Sequence, residues 1–483
     1  MNITEKLNEN HQNLKIQLTS EDVAFTPINV GNAKGLLVFV KDIVNKESLG
    51  DLVLRPAENF NGSPTEQNLS KIFFSPEKKA LYTIKEIVDE VVSGGAVVLV
   101  DGITQAVAFE VKQFNDRAIT EPPTSMVIKG PREGFVENLT VNVSLIRRRL
   151  KTPKLQFEQI QVGKYSKTPV SLCYIEGVAD KKLVKNLKTK LSKIDIDAVI
   201  DSSYVTKFIV EHKRSLFKQV GNTEKPDILV ARILEGRVAI LVDGSPIVLT
   251  VPYLLVEDFQ SPSDYYNSPY SATTARIIRL ISVTLSILLP AVFVSAELFH
   301  LQLIPLSFLL TIVNSIQGIP LSPSYEMFFT LMIFEILNEA SVRMPKYVGM
   351  VVSIVGGLVL GETAVNAGII SPPALMIIAL SGICLYTVPE MEQTFSFLRF
   401  LLLIIAGSLG GYGLIVAFAV LLTYIVSFES YGAPLCAPFS PLVKPDLKDS
   451  FYRAFMTNKR FRPLSLNNFN KRKLTIKKED KND

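Results

Sequence analysis

The 483-residue sequence has no tryptophan, three histidines and three cysteines. His11, His212 and His300 stand in separate regions, and Cys173, Cys384 and Cys436 are equally scattered. Neither a disulfide framework nor a four-cysteine metal site is indicated. The chain has no GxxxxGK[S/T] phosphate loop, no HExxH and no GxSxG elbow. Gly130-Pro131-Arg132-Glu133-Gly134 has the glycines of a phosphate loop but not its lysine, and it puts a proline where a backbone N–H is needed. We therefore expect no enzyme, with no catalytic, cofactor-binding or metal-ligating residues. Met1 to Asp22 is polar and charged, without the apolar core of a secretory signal, and is expected to be a flexible tail over residues 1–20.

Charge is scarce in the second half. Residues 271–443 carry 5 Lys+Arg and 8 Asp+Glu, against 34 and 33 in residues 1–270 and 12 and 5 in residues 444–483. So few charges over so long a stretch exclude a wholly soluble protein and a disordered one. The expected architecture is an α/β soluble N-terminal region followed by an α-helical polytopic membrane domain. That domain covers residues 263–443 with about 4–6 membrane segments, and a basic tail follows over 444–483. The first segment long enough to cross a bilayer begins near Ile277, so the first 270 residues are expected to fold in the cytosol.

The soluble region echoes itself. Leu37-Val38-Phe39-Val40, then Ile43, Asn45 and Lys46, resembles Leu172-Cys173-Tyr174-Ile175, then Val178, Asp180 and Lys181. Ala96-Val97-Val98-Leu99-Val100-Asp101-Gly102 matches Val238-Ala239-Ile240-Leu241-Val242-Asp243-Gly244. Each Asp-Gly pair is followed by another β-rich run, Ala106 to Val111 and Ile247 to Val251, which is a hairpin signal. We read two similar α/β subdomains, 21–150 with a linking helix and 151–262. Chance likeness between common strand–turn–strand patterns is the alternative. In the linking helix Val136, Leu139, Val143, Ile146 and Leu150 form one apolar stripe. Glu133 and Glu137 lie near its N-terminal end and Arg147, Arg148 and Arg149 near its C-terminal end, both the favoured signs. The three arginines are candidate contacts for a partner or for lipid phosphates; a solvated, dipole-compensating helix end is the other reading.

In the apolar half, spans are expected at about 279–296, 325–342, 347–369, 373–389 and 398–426. Leu303 to Leu321 is interrupted by Pro305, Asn314, Gln317, Gly318 and Pro320 and is read as re-entrant or interfacial. Arg276 and Arg279 before the first span, and Arg343 and Lys346 between the second and third, fit a cytosolic N-terminal domain. A single crossing over 398–426 would carry the basic tail outside. Gly407, Gly410, Gly411 and Gly413 allow instead two half-helices that return.

The third span is the candidate pore element. Gly349, Ser353, Gly357 and Gly361 form a stripe suited to close helix packing. Val351, Val355, Leu358, Glu362 and Val365 point the other way, and a carboxylate there should avoid lipid. These five are candidate pore or gate residues, unless Glu362 lies at the outer end and snorkels to headgroups. Glu335, Glu339 and Arg343 stack at i, i+4 and i+8 on one face of the second span, as a structural pair or part of an ion pathway.

Several stretches resemble one family. They include Arg117 through Ile119-Thr120-Glu121-Pro122, Lys129-Gly130-Pro131-Arg132-Glu133-Gly134-Phe135 and Leu145-Ile146-Arg147-Arg148-Arg149. Ser261-Pro262-Ser263-Asp264-Tyr265-Tyr266, Glu335-Ile336-Leu337-Asn338-Glu339-Ala340 and Arg343-Met344-Pro345-Lys346 continue the series. So do Val352 to Gly357, Ala367 to Pro372, Ala437 to Pro441 and Asp446 to Asp449. The chain resembles the A subunit of the bacterial spore germinant receptors, the GerA family. The resemblance implies a multi-pass protein of the spore inner membrane with its N-terminal domain on the cytoplasmic side. It implies a transporter-like B subunit that binds the nutrient, a lipoprotein C subunit and membrane lipids as partners, with no nucleic acid. It further implies a homo-oligomer, a pentamer, forming a nutrient-gated cation channel whose opening releases ions and triggers germination. A non-conducting scaffold or relay subunit, and a transporter-like subunit that itself binds nutrient, are the alternatives.

Overall fold

In the computed structural model the described residues are 1–73, 75, 78–111, 129–345, 349, 357, 359, 361–466 and 468–473. They divide into an N-terminal unit (1–254, 429–433 and 456–483) and a helical unit (255–428 and 434–455).

The N-terminal unit contains two five-stranded sheets. The first is built from β1 (Val23–Val30), β2 (Ala33–Val40), β3 (Lys78–Leu81), β4 (Ala96–Val100) and β5 (Ala106–Phe109), in the order β1-β2-β4-β5-β3. The second is built from β6 (Leu155–Val162), β7 (Thr168–Ile175), β8 (Gly221–Thr223), β9 (Val238–Val242) and β10 (Val248–Val251), in the order β6-β7-β9-β10-β8. The orders correspond strand for strand, and every pairing is antiparallel. Antiparallel strands usually alternate apolar and polar residues because one face is wet. Here β4 and β9 are buried at every position, since helices cover both faces. That is why they read as unbroken apolar runs.

Among the described residues the longer helices that flank the sheets are α1 (Leu7–Gln17), α2 (Ile84–Val92), α3 (Leu139–Arg149), α4 (Lys181–Ser192), α5 (Ser202–Ile209) and α6 (Pro226–Leu234). On one face α1 and α2 bury Leu14, Ile87 and Val91 against Val38, and α3 and α6 bury Ile146, Leu229 and Ile233 against Cys173. On the other face short helical turns over 46–72 cover Leu37 with Val53 and Leu69, while α4 and α5 cover Leu172 with Leu187 and Val205.

The repeat begins earlier than expected. Residues 7–17, read from sequence as part of a flexible tail, form α1, the counterpart of α3. Asn10 brackets its own N-terminus, accepting from Thr4 N–H at 3.0 Å and donating to Thr4 O at 2.6 Å. Asn142 does the same with Val136, at 2.9 and 2.5 Å. Asp101 caps α1 at Leu7 N–H (2.9 Å), and Asp243 caps α3 at Leu139 N–H (3.0 Å). The helix taken as a linker is thus the first helix of the second copy.

The basic tail is fastened in part: Arg462 Nε donates to Leu234 O at 2.6 Å, which ties it to the second copy. Residues 429–433 seat there as well. Ser430 Oγ accepts from Tyr253 N–H (3.0 Å) and donates to Gln219 O (2.7 Å), and Tyr431 O–H donates to Ile209 O at 2.5 Å.

The helical unit holds α7 (Pro269–Phe299), α8 (Leu306–Ile316), α9 (Pro323–Arg343), α10 (Pro372–Leu385) and α11 (Glu392–Val426). Ser268 and Ser371 cap α7 and α10 by accepting from Ser271 N–H and Ala374 N–H, each with proline next to the cap. Among the described residues two helical stretches, Pro269–Phe299 and Pro389–Val426, are long and apolar enough to cross a bilayer. α8 is about 16 Å long at 1.5 Å per residue, too short to cross. The core of the helical unit includes Val294, Met327, Leu331, Ile378 and Leu403.

Candidate functional site in the helical unit

Three constructions in the helical unit can carry function. The first is a charge network that fastens α9, α10 and α11 together. Arg399 is fully buried, and its guanidinium pairs with Glu335 on α9. Ser396 Oγ donates to the same carboxylate at 2.7 Å. Arg399 Nη1 donates to Ser381 Oγ (3.0 Å) on α10, whose hydroxyl donates to Ser286 O (2.8 Å) on α7. Arg399 Nε has no partner. Nearby, Asn338 Nδ2 donates to Glu392 Oε1 at 2.7 Å. A buried charge without its partner costs several kcal/mol, so these groups fix how the helices sit. The expected Glu335, Glu339, Arg343 face divides. Glu339 and Arg343 form an exposed i,i+4 pair at 2.7 Å, while Glu335 turns inward to Arg399, 64 positions away. Arg399 was invisible to the sequence reading because its partner is set by helix packing and not by spacing.

The second construction is a break in α11. Gly410 has φ 64° and ψ −155°, outside helical geometry. Before it, α11 runs alongside α7. Arg399 reaches Ser286 through Ser381, Gly407 lies against Val294 and Ser324, and Gly410 lies on Phe299. A Cβ at Gly410 would sit 2.8 Å from the Phe299 ring. After the break the chain comes back. Phe428 O accepts from Leu435 N–H and Leu435 O from Leu255 N–H, both at 2.9 Å, which places the end of α11 beside the entry to the helical unit.

The third construction is an arginine clamp on that entry. Ser261 and Asp264 form a capping box, and Asp264 is 2% exposed. Arg276 Nε (3.0 Å) and Arg279 Nη1 (2.8 Å), one helical turn apart on α7, both donate to Asp264 Oδ2. Arg276 Nη1 continues to Ser450 O (2.6 Å) and Asp449 Oδ1 (3.2 Å). Arg453 donates back to Asn267 O (2.7 Å) and Tyr265 O (3.0 Å). Burial alone would raise the Asp264 pKa, but the hydrogen bonds and charges of Arg279 and Arg276 hold it below the usual carboxylate range. The sequence marked Arg276 and Arg279 only as charges beside a span. Their spacing of three, twelve or more residues after a capping-box aspartate, was the available signal.

Of the candidate pore residues, Val351, Val355 and Leu358 lie outside the described residues, as does Ser353 of the small stripe. Glu362 is exposed and Val365 half-buried on the surface of this chain. Gly361 is buried with its face toward Leu375, Gly349 is buried against Ser341 O, and Gly357 faces open space. The stripe therefore divides between packing inside the chain and a free face.

The arginines of α3 lie in the N-terminal unit. Arg147 is buried there and forms a bidentate pair with Asp22 (Nε–Oδ2 2.8 Å, Nη2–Oδ1 2.7 Å), supported by Ser20 Oγ and Leu155 O. It ties the two copies together from the inside, so in this chain it is not available to lipid or to a partner. Arg148 and Arg149 are part-exposed, and both pair with Glu133, whose pKa is lowered despite its partial burial. Among the described residues there is no group of three or more His, Cys, Asp or Glu placed to hold a metal ion.

Residues 8–465 match the family described as Bacillus/Clostridium GerA spore germination protein. The chain is similar to spore germination protein KA of Bacillus subtilis (strain 168), 35% identical over 444 residues that cover 90% of this chain and 82% of that one. It is similar to spore germination protein GerLA of Bacillus cereus, 35% identical over 423 residues and covering 86% of each. It is also similar to the uncharacterized membrane protein YfkQ of Bacillus subtilis (strain 168), 34% identical over 459 residues that cover 94% and 90%. Among solved structures it is similar to the N-terminal domain of the A subunit of the Bacillus megaterium spore germinant receptor GerK3. That match has 26% identity and a TM-score of 0.41, and covers 53% of this chain and 97% of the other.

Proposed function

The chain belongs to the GerA family of Bacillus/Clostridium spore germination proteins, and we propose that it is the A subunit of a nutrient-responsive receptor in the spore inner membrane, oligomerising into a nutrient-gated cation channel. The observation that carries this reading is the placement of Glu362. It sits in the helical turns over 361–366, next to Gly361, which packs inward on Leu375, and is exposed on the single chain. A carboxylate left against hydrocarbon costs about 2.5–3.5 kcal/mol or more, so this face needs other subunits or water. Repeated around a symmetry axis, Glu362 forms an acidic ring that favours cations, with Val351, Val355 and Leu358 as the apolar constriction below it. Gly357, which faces open space, is then available for close approach between subunits.

The break at Gly410 and the clamp on Asp264 support a tail that lies on the same side as residue 255. The positive charges that the sequence places at Arg276, Arg279, Arg343 and Lys346 support reading that side as cytoplasmic. Partners of this subunit are a transporter-like B subunit, a lipoprotein C subunit and membrane lipids; pentameric assembly is part of the proposal.

The test is ion release from germinating spores measured together with subunit abundance. Glu362→Gln should lower cation release at normal abundance, and Val355→Ala should start release without nutrient. If release falls only in step with abundance, the subunit is a non-conducting scaffold.

A further inference from the structure

The two copies of the N-terminal unit invite one comparison beyond the proposed channel. From Thr4 to Val30 the first copy aligns with Val136 to Val162 of the second without a gap, and α1, β1 and their caps match α3, β6 and theirs. In the second copy the outer edge of β6 is occupied. The segment Thr19–Asp22 of the first copy lies along it. Phe157 N–H donates to Ser20 Oγ (3.0 Å), Phe157 O accepts from Glu21 N–H (3.3 Å), and Arg147 grips Asp22 in the buried bidentate pair.

The equivalent edge of the first copy carries the same parts and, among the described residues, holds nothing. Phe25 stands in place of Phe157, paired inward with Val38 as Phe157 is paired with Cys173. Its outward N–H and C=O bond to no group among the described residues. Lys15 stands in place of Arg147. It is exposed and pairs with no carboxylate among the described residues. The edge forms part of an open cleft of about 810 Å³, lined by Leu7, Asn8 and His11 of α1 and by Leu54, Ala57 and Glu58. His11 Nε2 has no hydrogen-bond partner. Pro27 replaces Gln159, whose N–H holds the Glu21 carboxylate at 2.7 Å, so the empty edge lacks that one contact.

We infer that the edge of β1 is a second, vacant copy of the dock that β6 uses internally, and that it receives an extended acidic segment of another polypeptide with a serine two positions before an aspartate. The occupied copy dictates the fit. The serine hydroxyl takes the Phe25 N–H, the next backbone N–H meets the Phe25 carbonyl, and the aspartate pairs with Lys15. This is strand addition at a sheet edge, with main-chain bonds supplying affinity and one charge supplying register. The equivalent Ser20–Asp22 segment of a second copy of this chain is already engaged within its own fold, so the occupant is a different protein.

The test uses the full-length chain in detergent micelles and a fluorescein-labelled ten-residue peptide centred on Ser-Glu-Asp, read by fluorescence anisotropy. Saturable binding is expected, weakened at least tenfold by Lys15→Glu or by replacing the peptide aspartate with lysine, and restored when the two changes are combined. Lys15 is exposed, so the variant keeps its fold, which a matching melting temperature verifies. Binding no tighter than that of a scrambled peptide, or binding indifferent to Lys15→Glu, overturns the inference. Self-association of the full chain that the peptide competes away would assign the dock to a second copy and overturn the partner.

Discussion

Replacing Arg147 by methionine tests the claim that the two copies of the N-terminal unit are fastened by a buried charge. The side chain is 1% exposed, as is that of Asp22, and the guanidinium makes two bonds to that carboxylate plus bonds to Ser20 Oγ and the Leu155 carbonyl. Methionine preserves most of the volume and the packing on Phe157. What is lost is charge compensation, leaving the Asp22 carboxyl group buried without its cation. Breaking one side of such a pair costs about 3–5 kcal/mol. At about 2–4 °C per kcal/mol for a unit of this size, Tm should fall by roughly 6–20 °C. Arg148→Met provides the contrast: Glu133 keeps Arg149 and both groups are part-exposed, so the cost should stay within about 1 kcal/mol. The double variant Arg147→Met with Asp22→Leu removes both charges and should recover much of the loss. The assay is urea and thermal unfolding of the purified chain followed by circular dichroism. An Arg147→Met variant as stable as the parent, or a double variant whose cost is the sum of the singles, would refute the buried-pair account.

Asp42 supplies a pH dependence. Burial first, and then repulsion from Asp22, pushes its pKa up to about 6 from an ordinary 3.8. The protonated form is the favoured one in the fold, so its stabilisation is complete below about pH 3.8 and is lost as pH rises through about 6. Asp42→Asn should therefore be more stable than the parent at pH 7, by up to about 3 kcal/mol, and equal to it near pH 4; unfolding titrations at the two pH values check this. Gly410→Val places a side chain against Phe299 at a φ of 64°, and the returning half of α11 should lose its place. A cysteine-accessibility scan of residues 412–426 should then change, whereas Gly407→Ala, at a residue without a left-handed φ and against the Ser324 side chain with Val294 at ordinary van der Waals distance, should change it less. Arg399→Met should lower abundance sharply, and Arg399→Met with Glu335→Gln should restore part of it, as quantitative immunoblotting would show.

Much of the N-terminal fold was legible because β4 and β9 are covered on both faces and so appear as unbroken apolar runs ending in Asp-Gly. α1 was not legible. Its sequence, Leu-Asn-Glu-Asn-His-Gln-Asn-Leu-Lys-Ile-Gln, is polar on most sides, and the helix is held by the Asn10 bracket on Thr4 and by the cap from Asp101, a residue far along the chain. The glycines of α11 announced a break, and the structure locates it at Gly410. The Glu335–Arg399 pair could not be read from spacing, because it joins groups brought together only when the helices pack, and of the Asp264 clamp only the Arg276 and Arg279 half is local enough to leave a signal. Arg147 looked like part of a surface cluster with Arg148 and Arg149. Only the second copy's position against Ser20 and Asp22 makes it interior.

The central claim is that this subunit conducts. The most direct measurement is the cation conductance of the purified chain, reconstituted with the proposed B and C partners in planar bilayers, with and without nutrient. The account predicts nutrient-dependent, cation-selective currents, with cation selectivity reduced by Glu362→Gln and reversed toward anions by Glu362→Lys. Nutrient-dependent currents whose selectivity is identical in all three proteins, or no current from a complex that still binds nutrient, would contradict it.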